Sequence, residues 1–149
     1  MTVPEPVALA IPVFGCSCHR LRKLTRLMTQ RYDLALSPAG VNVNQYAILR
    51  RAEREPRAIG ALADTLGMDR STLSRDLKHL VAAGWIRLIA SKADARQRLV
   101  ALTPRGRRVI AQAEPLWRVT QSGIEQQMGV DAIGRLHEAL ELATGHLTA

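Results

Sequence analysis

Aromatic residues are scarce in this sequence, since Phe, Trp and Tyr together make up 3% of its 149 residues. The hydrophobic core must therefore consist mostly of Leu, Ile, Val and Ala, a composition that suits helices. Hydrophobic residues still make up 47% of the chain, which excludes global disorder. The length corresponds to one compact domain with a substantial core, and we expect a single domain over residues 1–149.

Long hydrophobic runs are also missing. The apolar stretch at residues 7–15 is short, is interrupted by Pro12 and follows no basic segment. It therefore predicts neither a transmembrane helix nor a signal peptide, and we expect a cytoplasmic protein with no membrane partner. The sequence has two cysteines, Cys16 and Cys18, and in that compartment they are expected to be reduced thiols.

Acidic residues are the minority among the charged ones, with 13 Asp and Glu against 21 Lys and Arg and a net charge of +8. The excess is local, because residues 69–108 hold ten Lys and Arg against three Asp. Such a concentration of positive charge indicates nucleic acid as the partner. The sequence shows no glycine-rich phosphate loop and no set of nucleophile, base and acid. We therefore expect neither an enzyme nor a bound cofactor or metal.

The spacing of apolar residues predicts six helices and one β-hairpin. Capping signals mark three of the helix starts: Asn42 with Gln45 after it, Asp69, and Thr103 before a proline. After Gly84 the pattern changes to two short β-branched runs separated by the polar residues KADARQ, which predicts a hairpin over residues 85–103. The predicted helices cover residues 16–36, 42–56, 59–66 and 69–84, a fifth runs from 104 through Ile124, and a sixth carries Ile133, Leu136, Leu140, Ala143 and Leu147.

Two short helices joined at Gly67 and followed by a hairpin predict a winged helix-turn-helix, whose second helix enters the major groove of DNA. The outer face of that helix suits this role, because Ser and Thr bond several base edges and Arg grips guanine. Lys78 lies a turn later and is expected to meet phosphate. The predicted DNA-binding residues of this helix are Arg70, Ser71, Thr72, Ser74, Arg75 and Lys78.

The hairpin tip is the predicted wing. Arg96 lies at the tip and Arg98 follows it, and an arginine at a wing tip suits the narrow minor groove, where the potential is most negative. Asp94 is expected to pair with a nearby arginine and to hold the shape of the tip rather than to contact DNA.

The order of these motifs resembles the MarR family of winged-helix regulators. The motifs are NQYAIL at 44–49, IGALADTLGMDRSTLSRDLKHLVAAGWI at 59–86, the Asp94-Ala95-Arg96 tip and VALTPRGR at 100–107, and the resemblance covers residues 18–128. It implies a mainly α fold with a small β-hairpin wing. It also implies N- and C-terminal dimerisation helices at 1–36 and 104–149 around a DNA-binding lobe at 42–103.

The resemblance further implies a homodimeric, sequence-specific transcriptional regulator that acts as a repressor. Two-fold symmetry implies a pseudo-palindromic operator with half-sites about 10 bp apart. A small aromatic or phenolic effector bound between the dimer helices and the winged lobe would release the DNA. The apolar stripes near both chain ends agree with a dimer, because one small domain could hardly bury them all.

The cysteines support an alternative, a thiol-based redox-sensing repressor acting through Cys18. Tyr32 follows Cys18 by fourteen residues, an arrangement similar to the organic-hydroperoxide-sensing branch of the family, but Arg22 stands where that branch has a second tyrosine. A helix N-terminus and basic neighbours favour the reactive thiolate. Three interpretations of the cysteines stay open: small interface residues, redox sensing, and metal binding with His19 as the one obvious local ligand. The candidate redox or effector site comprises Cys16, Cys18, Arg22 and Tyr32.

A non-specific architectural DNA-binding protein is the other alternative. It predicts an affinity that is nearly independent of sequence and falls steeply with salt. A regulator predicts a palindromic footprint instead. The hydroxyl and arginine side chains of the second helix favour the regulator.

Overall fold

A computed structural model describes residues 15–148. These residues form a mainly α-helical fold with a small antiparallel sheet, which confirms the predicted fold class. The irregular segment expected at residues 1–14 lies outside the described residues. The elements are α1 (Ser17–Leu36), a 3-10 turn (Ser37–Ala39), α2 (Val43–Arg51), β1 (Arg57–Ala58), α3 (Ile59–Leu66), α4 (Arg70–Ala82), β2 (Ile86–Ala90), β3 (Arg98–Leu102), α5 (Pro104–Met128) and α6 (Val130–Thr148).

Capping side chains set the starts of three helices where the sequence predicts them. The Asn42 side chain accepts a hydrogen bond from the Gln45 amide at 2.8 Å, and the Gln45 side chain accepts one from the Asn42 amide at 3.1 Å. The side chains of Asp69 and Thr103 cap α4 and α5 by accepting hydrogen bonds from the Thr72 and Gly106 amides, without the reciprocal bond. Helix α2 ends at Arg51, before the expected end near Pro56, because the chain leaves the helix at Ala52 to enter β1.

The sheet has the order β1-β3-β2, and both strand pairs are antiparallel. The predicted hairpin forms β2 and β3, with Leu88 opposite Val100 and Ala90 opposite Arg98. Strand β1 was not predicted, because two residues are too few to show the alternation that identifies a strand. It pairs Arg57 with Val100 and so attaches the start of α3 to the wing.

The core is aliphatic, as the scarcity of aromatic residues requires. Leu36, Ile48, Leu49, Leu73 and Leu80 are each 0% exposed. They come from α1, α2 and α4, so the core joins the helix-turn-helix to the long helices. One predicted core position is wrong. The sequence pattern places Val81 on the inner face of α4, but Val81 is 42% exposed because it lies at the edge of that face.

The junction between the winged lobe and α5 is held by Thr103. Its amide donates to the Trp85 carbonyl at 3.0 Å, and its hydroxyl lies 2.7 Å from the Gly84 carbonyl oxygen and 3.0 Å from that of Trp85. The same hydroxyl accepts a hydrogen bond from the Gly106 amide at 3.0 Å. A Cβ atom on Gly106 would lie 2.1 Å from the Trp85 carbonyl oxygen, so only glycine fits at this position.

Substitution of Gly106 by alanine is expected to lower the free energy of unfolding by about 1–3 kcal/mol, because the backbone at Trp85 has to move to admit the methyl group. Chemical denaturation followed by circular dichroism measures this change. The matched control is Gly134→Ala in α6, where nothing lies within 4 Å of an added Cβ. That variant should be neutral or slightly stabilising. Equal stability of the two variants would contradict the proposed packing at the junction.

Candidate nucleic-acid interface

The turn between α3 and α4 fixes the angle of the helix-turn-helix. Gly67 closes α3 with a φ of 61°, in the left-handed region that glycine adopts without strain. The Met68 amide donates to the Ala63 carbonyl at 2.9 Å, which satisfies the last turn of α3. Asp69 then begins the next helix at once, so two residues connect α3 to the capping position of α4.

Asp69 organises the first turn of α4. Its carboxylate accepts hydrogen bonds from the Ser71 hydroxyl at 2.5 Å, the Thr72 hydroxyl at 2.7 Å and the Thr72 amide at 2.8 Å. These bonds hold the pKa of Asp69 well below its ordinary value, and the bond from the Ser71 hydroxyl contributes most to the shift. Ser71 and Thr72 were predicted to face DNA with their hydroxyls. In this structure both hydroxyl protons are directed to Asp69, so these two residues offer DNA their remaining lone pairs as acceptors.

The rest of the predicted face points to solvent. Ser74, Arg75 and Lys78 are exposed, and no hydrogen bond or ion pair within residues 15–148 occupies their side chains. Arg70 is exposed too, and its guanidinium lies beside the start of α3, with Nη2 3.8 Å from where a Cβ of Gly60 would be. The outer face of α4 therefore presents three unengaged polar side chains on a helix whose inner face is buried.

The wing tip is shaped by backbone hydrogen bonds. The Asp94 carboxylate accepts one from the Arg96 amide at 3.0 Å, and the Asp94 carbonyl accepts one from the Gln97 amide at 2.9 Å. Ser91 accepts a third from the Ala93 amide at 3.2 Å. The expected pairing of Asp94 with an arginine side chain is absent from the described residues, because the nearest donor is the backbone amide two residues ahead. Arg96 and Arg98 remain exposed.

The candidate redox residues do not come together within one chain. Cys16 is the N-cap residue of α1, with an extended backbone, and Cys18 is the second residue of the helix. Neither cysteine is in a disulfide and both are exposed. The Arg22 side chain is exposed too. Tyr32 lies on the same helix fourteen residues after Cys18. At a rise of about 1.5 Å per residue, the two are about 21 Å apart along the helix axis. A contact between Cys18 and Tyr32 would therefore require a second chain.

Tyr32 has a different environment, at the meeting point of α1 and α5. Its hydroxyl donates a short hydrogen bond to Gln121, whose amide donates in turn to Glu125 at 2.8 Å. Its ring is stacked with Trp117 at a centroid distance of 6.4 Å. Burial, followed by the nearby Glu125 charge, raises the pKa of Tyr32. The phenol is therefore held protonated and fixed by α5.

A groove of about 590 Å³ lies between α2 and α5. The family resemblance implies an effector between the dimer helices and the winged lobe, but it does not identify the residues of this groove. Tyr46 and Trp117 line it, with ring centroids 6.3 Å apart, and burial raises the pKa of Tyr46. Arg50 and Arg118 also line it, and Arg118 is paired with Glu114 at 2.7 Å. The lining residues of α2 and α5 are about seventy positions apart in the chain, and no local motif connects them.

Within residues 15–148, no group of three or more His, Cys, Asp or Glu side chains is arranged to hold a metal ion. No helix in that range is long and apolar enough to cross a membrane.

Comparison with known proteins identifies the family. The MarR family model matches residues 39–97. The DNA complex of the M. tuberculosis transcriptional regulator MOSR is 32% identical in sequence, with a TM-score of 0.72, and the alignment covers 87% of this chain and 98% of that one. This chain belongs to the MarR family. It is thus a DNA-binding transcriptional regulator, and the predicted recognition is confirmed.

Other MarR-type structures share the fold at lower identity. A mutant MarR from E. coli complexed with operator DNA is 21% identical, with a TM-score of 0.77 and coverage of 85% of this chain and 91% of that one. CouR from Rhodococcus jostii RHA1 bound to p-coumaroyl-CoA is 19% identical, with a TM-score of 0.72 and coverage of 89% and 94%. No curated protein sequence matches the chain. The fold is therefore common to regulators crystallised with DNA and with a small molecule.

Proposed function

We propose that this MarR-family protein is a homodimeric repressor that binds a pseudo-palindromic operator and releases it when a small aromatic acid binds. The observation that carries the proposal is the outer face of α4. Ser74, Arg75 and Lys78 are exposed and unengaged there, and the wing places Arg96 and Arg98 beside the same lobe. A rigid helix with free donors next to a basic hairpin suits simultaneous binding in a major groove and the adjacent minor groove.

The DNA-binding residues divide into two roles in this proposal. Arg75 is the base reader, because it lies on the outer face in the second turn, where a guanidinium reaches the groove floor. Ser71 and Thr72 accept hydrogen bonds from base edges nearby, and the unengaged Ser74 hydroxyl accepts or donates. Phosphate contacts fix the position of the lobe on the duplex. They come from Arg70, Lys78 and Arg98, while Arg96 enters the minor groove.

The dimer is supported by apolar side chains that one chain leaves in solvent. Leu27 and Leu34 of α1 are 52% and 77% exposed, and Leu142 and Leu147 of α6 are 66% and 87% exposed. Their burial against a second copy would stabilise a dimer through the terminal helices. We therefore propose residues 1–36 and 104–149 as dimerisation segments and residues 42–103 as the DNA-binding lobe.

The effector site proposed is the groove between α2 and α5. The rings of Tyr46 and Trp117 suit an aromatic ligand, and Arg50 and Arg118 suit its carboxylate. Helix α2 belongs to the proposed DNA-binding lobe and α5 to the proposed dimerisation segment. A ligand between them would change the distance between the two copies of α4. The CouR complex with p-coumaroyl-CoA supports an aromatic acyl ligand for this fold.

Redox sensing through Cys18 is the second candidate function. The observation that favours it is that both thiols are exposed and free at the beginning of α1. A hydroperoxide would oxidise such a thiol to a sulfenic acid and would itself be reduced to the alcohol. The two candidates differ in the residue on which DNA release depends.

Replacement of Arg75 by alanine is expected to weaken binding to a selected duplex by about ten- to a hundredfold, because a two-hydrogen-bond base contact is lost. The probe is a 30-bp duplex selected from a random library with the full-length protein, and the comparison is a random 30-bp duplex. Lys78→Ala should weaken both duplexes equally and reduce the slope of log affinity against log salt by about 1. Fluorescence anisotropy over a salt series measures both effects.

Arg135→Ala in α6 is the matched control, since it removes one exposed arginine outside the proposed DNA-binding lobe. It should leave the preference for the selected duplex unchanged. If the wild-type protein bound selected and random duplexes equally, the non-specific architectural alternative would hold instead.

Salicylate is expected to release the selected duplex from the wild-type protein, and Arg118→Gln should raise the salicylate concentration needed by about tenfold, since the carboxylate loses its cation. Cys16→Ser and Cys18→Ser should respond to salicylate as the wild type does. The same complexes are treated in parallel with cumene hydroperoxide. Release by the peroxide that Cys18→Ser abolishes, together with no response to salicylate, would replace the ligand mechanism by the redox one.

A further inference from the structure

A second apolar groove lies beside the recognition surface of α4, and the proposed function leaves it unexplained. It has a volume of about 410 Å³ and is lined by Ile59, Leu77, Val81 and Leu88, with Ser74 and Lys78 on its polar side. Val81 is 42% exposed and Leu88 is 41% exposed. Two large apolar side chains in solvent at this place need a partner to cover them.

The groove lies between α4 and the wing. Ser74, Lys78 and Val81 are spaced by four and three residues and so lie along one side of α4. Leu88 is in the middle of β2, which packs against α4. Arg98 is opposite Ala90 in the ladder, two residue pairs nearer the tip than Leu88, so it lies on the same sheet face as Leu88. Basic side chains therefore flank the apolar floor, Lys78 on the helix side and Arg98 on the wing side.

The geometry of duplex DNA indicates what fills the groove between α4 and the wing. Each backbone strand separates a major groove from the neighbouring minor groove. If α4 occupies a major groove and the wing tip the adjacent minor groove, one backbone strand has to pass between them. The groove just described lies between α4 and β2, on the path of that strand.

We propose that this groove seats the sugar–phosphate backbone of one DNA strand, with Val81 and Leu88 packed against deoxyribose rings and with Lys78 and Arg98 at the flanking phosphates. The inference rests on the proposed docking of α4 and the wing. A deoxyribose presents carbon atoms and no 2′-hydroxyl, so it matches an apolar floor, and a ribose would bring a hydroxyl that the floor cannot satisfy. The contact is independent of base sequence and favours DNA over RNA-containing strands.

Val81→Ala and Leu88→Ala test the proposal with the full-length protein and the selected and random 30-bp duplexes. Each variant should weaken binding about three- to tenfold, because apolar area covered by the strand is lost. The loss should be equal on both duplexes, and the salt slope should stay at the wild-type value because no charge is removed. Thr65→Ala is the matched control, because it shortens an exposed β-branched side chain on α3 outside this groove, and it should bind as the wild type does.

A second measurement uses the wild-type protein and so does not depend on the folding of a variant. Single deoxyribonucleotides of the selected duplex are replaced one at a time by ribonucleotides. One or two positions in each half-site should lose affinity with the wild type, and the loss at those positions should shrink in the Val81→Ala, Leu88→Ala double variant. Such coupling between a side chain and a sugar is the signature of direct contact.

The outcomes separate this inference from the proposed function. If the wild-type protein showed no preference for any duplex, both would fail. If it selected a duplex but the Val81 and Leu88 variants bound both duplexes normally, only the seating of the strand would be overturned. A loss confined to the selected duplex would also overturn it, because that result would place the two side chains at bases rather than at sugars.

Discussion

The carbonyl oxygen of Trp85 is the point at which the recognition helix, the wing and the long helix α5 are joined. It accepts a hydrogen bond from the Thr103 amide at 3.0 Å and lies against Gly106 so closely that a side chain there would collide with it. Thr103 also caps α5 through its hydroxyl. The direction in which α5 leaves the winged lobe is therefore fixed within a few ångströms of the end of α4. This junction therefore couples a movement of α5 to the recognition helix.

The few aromatic residues of the chain are concentrated where such a movement would begin. Three of the five, Tyr32, Tyr46 and Trp117, meet at the junction of α1, α2 and α5. Trp117 touches both tyrosines, so one side of it faces the groove between α2 and α5 and the other faces α1. The densest positive charge lies elsewhere, within residues 69–108, which include α4 and the wing. The molecule thus separates an aromatic region suited to sensing from a basic region suited to DNA binding, and α5 connects them.

Local signals made much of this fold predictable from the sequence. The caps at Asn42, Asp69 and Thr103 act over three residues, and the structure has all three. What depended on distant contacts was missed or wrong. Strand β1 exists because Arg57 meets Val100, and the groove between α2 and α5 exists because residues about seventy positions apart pack together. Val81 was misplaced because periodicity defines the centre of a helix face better than its edge. Asp94 shapes the wing tip, but it does so through the Arg96 amide rather than through the expected arginine side chain.

One chain supplies one copy of α4 and the proposed dimer supplies a second, so the symmetry of the DNA site shows whether the protein binds as a dimer. Selection of duplexes from a random library, followed by hydroxyl-radical footprinting of the best sequence, reveals that symmetry. Binding as a dimer predicts an inverted repeat with half-sites about one helical turn, or about 10 bp, apart and a two-fold symmetric pattern of protection. A selected pool without an inverted repeat, or protection of a single half-site by a monomer, would contradict binding as a dimer.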